Sequence, residues 1–214
     1  MAMLIVFSGL PGSGKSSIAR ELAKKTGAFL LRIDWIEQAI KESGISQVNE
    51  AGYLVAYALA EENLRLGRDV IGDSVNGLSL TREAWLEVSM RAEADIIEVE
   101  IICSDLDEHQ RRVETRVGDI QGHLPPKWQD VNGRIRREYE PWEGAVPLTI
   151  DTAMLAHSLK AKDGPATPRN WPASTPNNKT CTNGFCRCAT KFSSIPIVRI
   201  SVLGLGIGTD SEQP

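Results

Sequence analysis

Met3-Leu4-Ile5-Val6-Phe7-Ser8-Gly9-Leu10-Pro11-Gly12-Ser13-Gly14-Lys15-Ser16 is the stretch on which the rest of the chain is organised. Met3 to Phe7 reads as a buried strand. Gly9 to Ser16 fits the phosphate-loop pattern G-x-x-x-x-G-K-[ST] at every fixed position and leads into a helical pattern. The glycines let the backbone fold tightly enough to aim several N–H groups at one anion, and the helix adds its positive end. Lys15 supplies a point charge for β- and γ-phosphates, and the Ser16 hydroxyl can complete the shell of a Mg²⁺ ion. The expected nucleotide contacts are Gly9, Leu10, Pro11, Gly12, Ser13, Gly14, Lys15, Ser16 and Ser17. A mere strand-to-helix turn would have no reason to place Lys-Ser at the helix entrance.

Working outward, Ile18, Ala19, Leu22 and Ala23 recur at helical spacing over Ser16 to Lys25, with Gly27 as a C-cap. Phe29 to Ile33 reads as a second strand, and Asp34 opens a short helix over Trp35 to about Glu42. Asp34 has two compatible readings: N-cap paired with Glu37, or a functional carboxylate at a strand's carboxyl end, where open α/β sheets place their chemistry. Asn49 to Leu66 is a helix with one broad apolar face, closed by Gly67. Asp69 to Ser74 is a third strand. Its Asp73 is a candidate for ordering a metal's water shell or the acceptor hydroxyl, against the alternative of a turn-forming Asp. Thr81 reads as the N-cap of a helix through Ala94, and Ile96 to Cys103 as a fourth strand.

Ser104 to Asp107 caps the next helix, which carries Arg111, Arg112 and Arg116. These could form a solvated face, but guanidinium groups at that spacing repel one another unless an anion sits among them, and the anion reading is preferred. Gly118 to Pro126 reads as a loop. Trp128, Val131, Ile135 and Tyr139 share a helical face that ends at Pro141-Trp142. Val146 to Ile150 is a fifth strand, followed by a last helix to about Lys160. Strand and helix alternate, which predicts an α/β fold with a parallel sheet covered by helices on both faces.

The 214 residues are 42% hydrophobic, enough for one ordinary α/β domain, expected over residues 1–162. Residues 163–214 carry five Lys/Arg against three Asp/Glu, which leaves 19 against 25 in residues 1–162. An acidic body argues against general nucleic-acid binding. No apolar run is long enough to span a membrane, and the first leads straight into the phosphate loop as a strand, not a signal peptide. One cysteine in the body fits a reducing cytoplasm. From Asp163 onward come six of the eleven prolines and three of the four cysteines. That composition predicts a low-order tail. Cys181, Cys186 and Cys188 have no nearby His and no C-x-x-C pair, which argues against zinc.

Together, the phosphate loop, Asp34, Asp73 in Gly-Asp-Ser, the Arg-rich helix, Trp128 to Trp142 and Ile150-Asp151-Thr152-Ala153 resemble the AAA-domain-like, zeta-toxin-like small kinases over residues 1 to about 160. Polynucleotide kinase, gluconate kinase and chloramphenicol phosphotransferase are more distant relatives. The resemblance implies a P-loop fold with a five-stranded sheet and a helical lid. It places Arg111, Arg112 and Arg116 on that lid over ATP, and Asp151 near adenine. Polynucleotide kinases carry an Arg on the helix after the strand-two Asp, where this chain has Trp35, Ile36 and Glu37, so a nucleic-acid acceptor is disfavoured. The tail after about Lys162 is foreign to the pattern, and a shifted reading frame or cloning artefact would explain it.

The expected activity is Mg²⁺-dependent transfer of the γ-phosphoryl group of ATP to a hydroxyl of a small molecule. Lys15, Asp34, Arg111, Arg112 and Arg116 are the catalytic candidates, and Ser16 and Asp73 the metal candidates. The alternatives are an NTP-hydrolysing switch and a nucleotide-binding regulatory module. Against hydrolysis, Ser74 follows Asp73 where such ATPases usually place a water-activating Glu. The sequence is silent on oligomeric state.

Overall fold

The computed structural model describes residues 1–153 apart from Ala145. The expected last helix to Lys160, the domain boundary at residue 162 and the tail of residues 163–214 lie outside the described residues.

Five strands, β1 (Met3–Ser8), β2 (Phe29–Arg32), β3 (Val70–Asp73), β4 (Asp95–Ile102) and β5 (Leu148–Asp151), form one sheet in the order β2-β3-β1-β4-β5. Every pairing is parallel, with Phe7 beside Asp73 and Val99, and Arg32 beside Asp73. The helices between them are α1 (Lys15–Thr26), α2 (Ile33–Glu42), α3 (Ala51–Arg65), α4 (Ser79–Arg91) and α5 (Leu106–Thr115). Beyond a loop over residues 116–127 come α6 (Trp128–Asp130), a π-helical turn (Val131–Ile135) and α7 (Arg136–Glu138).

β1 is buried almost throughout because it is central and covered on both faces, and so it reads as a continuous apolar run, not an alternating one. Leu4 and Val6 join Leu31, Ile33, Val70, Ala56, Ala60, Leu64, Trp85 and Val88 in a core beneath α3 and α4. Ile5 and Phe7 alternate to the opposite face, where α1 buries Ile18, Ala19 and Leu22. Each fully buried aliphatic side chain contributes about 1.5–3 kcal/mol. Trp85 is fully buried, meets Tyr57 edge-on at 4.7 Å, and donates its indole N–H to Asn76 Oδ1. Asn76 Nδ2 in turn donates to the Phe7 carbonyl at 2.9 Å. The segment after β3 is thereby pinned beside the end of β1.

Several boundaries differ from the sequence reading. β2 stops at Arg32, and Ile33 and Asp34 already belong to α2. Asp34 therefore sits in the first helical turn instead of capping it; Arg32 occupies the N-cap with no side-chain cap bond. Nor does Thr81 cap α4. The helix starts earlier, and Thr81 bonds back to the Leu78 carbonyl while Glu140, from beyond α7, accepts from the Ser79 N–H. The apolar face expected of α3 buries Ala56, Ala60 and Leu64 but leaves Leu54, Val55 and Leu59 exposed. The stretch from Trp128 to Glu138 is helical but contains the π turn, which widens the spacing of its apolar face. Val131 is fully buried there, while Trp128, Ile135 and Tyr139 are half-buried.

Candidate active site

The chain runs from β1 to one side of the sheet through β2 and β3, then to the other through β4 and β5. The carboxyl end of β1 thus lies at the switch point where open α/β sheets form a crevice. The loop over Gly9–Ser16 fills that position. Gly9 takes φ +136°, and a Cβ there would stand 2.1 Å from the Ile101 carbonyl oxygen; Gly12 takes φ +84°, and its Cβ would stand 2.4 Å from Val113 Cγ2. Both conformations are costly for an L-residue with a side chain. The Gly9 N–H donates to the Val75 carbonyl at 3.0 Å, and the Ser13 N–H to the Leu10 carbonyl at 3.2 Å. Gly14 N-caps α1 in the left-handed conformation.

Lys15 is buried and bends back over the loop, its Nζ donating to the Leu10 carbonyl at 3.0 Å. Burial lowers its pKa, while the carboxylates of Asp73 and Asp34 pull the other way. Asp73 ends β3 and is buried, with Oδ2 3.4 Å from Arg32 Nε. Burial raises its pKa against Lys15, a hydrogen bond with the Ser16 side chain, and Arg32. Among the described residues Asp73 Oδ1 and the buried Ser13 hydroxyl have no hydrogen-bond partner. A buried carboxylate oxygen left unpaired is costly. Asp73 beside the Ser16 hydroxyl therefore suits a hydrated divalent cation, and the loop with Lys15 suits phosphate oxygens. Among the described residues no group of three or more His, Cys, Asp or Glu could hold a metal; Mg²⁺ bound through one carboxylate, waters and phosphates needs none.

Asp34 is exposed at the start of α2, and its charge reaches Lys15, Arg32, Glu37, Tyr53, Asp73 and Arg116. It is the open carboxylate on which this cleft converges. Ser17, next to Ser16 on α1, is also exposed.

Arg111 and Arg112 stand on the regular helix α5, not on the loop after it, and the anion between them belongs to the chain itself. Arg111 donates to both oxygens of Glu108 at 2.8 and 2.7 Å, and Arg112 Nε to Oε1 at 2.9 Å. These bonds, Arg111's first, hold the Glu108 carboxyl down at about 2. The repulsion that pointed to an external anion is thus relieved by a carboxylate three and four residues back. The expected helix cap is Asp105, whose side chain accepts from the Asp107 and Glu108 N–H groups. Arg116 follows the helix at its C-cap.

Arg112 reaches further. Its Nη1 and Nη2 donate to the hydroxyl and carbonyl oxygens of Thr152 at 2.7 and 3.1 Å. The Thr152 hydroxyl lies 2.8 Å from the Ser13 carbonyl and 3.0 Å from the Ile102 carbonyl, and so joins the phosphate loop to the ends of β4 and β5. Asp151 is occupied locally, accepting from the Ser104 and Ala153 N–H groups. His109, almost fully buried, makes a 2.8 Å bond to the Pro11 carbonyl and meets Trp128 edge-on. A carbonyl only accepts, so Nε2–H donates to Pro11, and burial lowers the His109 pKa. The sequence reading gave no role to Arg32, Glu108 or His109, and took Thr152 only as part of the Ile150-Asp151-Thr152-Ala153 motif. Of these, Glu108 alone carried a local signal, its spacing of three and four from two arginines.

The family profile described as AAA domain matches residues 4–125. No curated protein matches the chain. Similar solved structures include a candidate kinase from Chloroflexus aurantiacus j-10-fl, at 22% identity over 76% of this chain and 97% of that chain, with a TM-score of 0.59. A sugar kinase from Janibacter sp. HTCC2649 shares 17% identity over 76% and 95%, with a TM-score of 0.53. Chaetomium thermophilum Kti12 in complex with ADP-AlF3 shares 19% over 77% and 100%, also at 0.53. At these identities the likeness is one of fold. Among the described residues no helix is long and apolar enough to cross a membrane.

Proposed function

The chain belongs to the AAA domain family, and on that premise we propose that it is an ATP-dependent phosphotransferase that moves the γ-phosphoryl group to a hydroxyl of a small molecule. The observation that carries this reading is the convergence of Lys15, Ser16, Asp73 and the open carboxylate of Asp34 at the carboxyl end of β1. A bare nucleotide-binding module has no use for Asp34 there.

In such a transfer the acceptor oxygen bonds to the γ-phosphorus as the bond to the β,γ-bridging oxygen breaks, and ADP leaves. The protein's task is mainly positioning and charge neutralisation. The loop N–H groups and Lys15 hold the phosphates, with Lys15 turning from the Leu10 carbonyl toward them. Ser16 and Asp73 would hold Mg²⁺, which supplies further neutralisation of phosphate charge. Asp34 orients the acceptor hydroxyl and takes its proton. Arg116 is the lid guanidinium left free for developing charge; Arg111 and Arg112 act through α5, Arg112 by fastening Thr152 to the phosphate loop. Ser17 and Asp151 are assigned to the nucleotide's outer contacts. The cytoplasm supplies ATP and matches the reduced Cys103.

The test is ADP release from MgATP with and without a panel of hydroxylated metabolites. Acceptor-dependent release is the expected result. Release at the same rate without any acceptor would make the protein a hydrolase and remove Asp34 from its role.

A further inference from the structure

Beside Asp34 the chain builds an anion site and fills it with its own side chain. Arg32 ends β2 with its side chain only 9% exposed. Its Nη1 and Nη2 donate to the two oxygens of Asp119 at 2.6 and 3.3 Å, and Arg20 on α1 donates to the same Oδ2. A two-pronged guanidinium grip of this kind matches carboxylate or phosphate geometry. The occupant's side chain reaches in from outside the sheet. Asp119 comes from the loop over residues 116–127, beside the buried Ile120, and its side chain is 47% exposed; Arg32 is held on the sheet at 9% exposure, and Arg20 joins from α1 at 42%. In the same loop the Arg116 guanidinium makes no hydrogen bond or ion pair among the described residues, while lying within electrostatic reach of Asp34, Asp119 and Arg32. With Asp119 removed, the three guanidinium groups of Arg20, Arg32 and Arg116 face only two carboxylates among the described residues, Asp73 against Arg32 and Asp34 within reach of Arg32 and Arg116. That is an excess of fixed, partly desolvated positive charge, which a neutral polyol cannot match.

Resting on the phosphotransferase reading above, we infer that the acceptor is an anionic hydroxyl compound, whose carboxylate or phosphate displaces Asp119 from Arg32 and Arg20. Asp119 is a tethered stand-in for that group. The phosphates of ATP carry the same chemistry, and the test separates the two sources.

Hydrogen exchange of residues 116–127 is followed in the full chain with glycerol, with D-glycerate, and with Mg²⁺ and a non-hydrolysable ATP analogue, at matched ionic strength. D-glycerate is expected to raise exchange in the loop several-fold, with or without the analogue, and glycerol to leave it unchanged. Asp119→Asn, which weakens the internal competitor, should bind D-glycerate about tenfold more tightly by calorimetry. Arg32→Gln should abolish the response, and Arg32→Lys, which keeps the charge but not the fork, should reduce it; circular dichroism confirms that both fold. A loop indifferent to D-glycerate, one that responds equally to glycerol, or release by the analogue alone overturns the inference. ADP release confined to neutral acceptors also overturns it and leaves the kinase reading intact. No ADP release with any acceptor, but an intact D-glycerate response, overturns the kinase reading and retains the anion site.

Discussion

Gly12→Ala tests how the phosphate loop is held. At φ +84° an L-residue costs about 1–2 kcal/mol, and the new methyl would stand 2.4 Å from Val113 Cγ2 and 3.4 Å from the His109 ring. Val113 is 5% exposed on α5 and cannot swing into solvent. Overpacking of this kind costs about 1–3 kcal/mol. The sum is roughly 2–5 kcal/mol, a large part of the stability of a small domain. The two parts separate in a double-mutant cycle. Val113→Ala alone should cost about 1.5 kcal/mol for its lost methyl groups, and in the double mutant it should return the overpacking part while leaving the backbone part. Urea unfolding of the four proteins reads this directly. A Gly12→Ala variant within about 0.5 kcal/mol of the parent, or a cycle without coupling, would refute the packing of α5 against the loop.

Lys15→Ala is expected to abolish nucleotide turnover and to keep the native circular dichroism, because among the described residues the Nζ hydrogen-bonds only to a loop carbonyl; residual turnover near the parent rate would disprove the site. Asp34→Asn should lower kcat about 10²-fold at a stability cost of only about 0.3–1 kcal/mol, since Asp34 is exposed in the first turn of α2 and merely favours its dipole. Undiminished kcat would remove it from the catalytic set. Glu108 should make the protein acid-sensitive. Its folded pKa of about 2 lies below the ordinary 4.5, so its contribution is complete above about pH 4.5 and is lost as pH falls toward 2. Comparison of Tm against pH should show a shallower acid limb in Glu108→Gln, and identical slopes would contradict the pairing.

The parallel sheet and the phosphate loop were legible because both rest on short-range pattern: an apolar run, glycines at fixed offsets, then helical periodicity. Lys15, Ser16, Asp34 and Asp73 could be nominated together because each stands at or just after a strand's carboxyl end, and a parallel sheet brings those ends together. What escaped depends on contacts across the fold. Arg32 looked like an ordinary strand residue, and only the register beside Asp73 and the arrival of Asp119, 87 positions later, give it a role. Thr81 looked like a cap because its hydroxyl fits the rule, but Glu140 supplies an acceptor from far along the chain, and the helix begins earlier. With Arg111 and Arg112 the omission was of another kind. Glu108 was in view at helical spacing, and its carboxylate offsets the repulsion from which an external anion was inferred.

The fastening of Thr152 to Ser13 sets a schedule for the ribosome. The loop that defines the protein leaves the ribosome well ahead of the hydroxyl that ties it to the sheet, which is 139 residues behind. At about 5–20 residues per second, the nascent chain carries an untied phosphate loop for about 7 to 28 seconds. For the earlier part of that interval, until β4 (Asp95–Ile102) is made, β1 also lacks its partner over six residues, and its apolar run is open to other chains. Until then, protection of that run falls to whatever shields apolar strands at the tunnel exit.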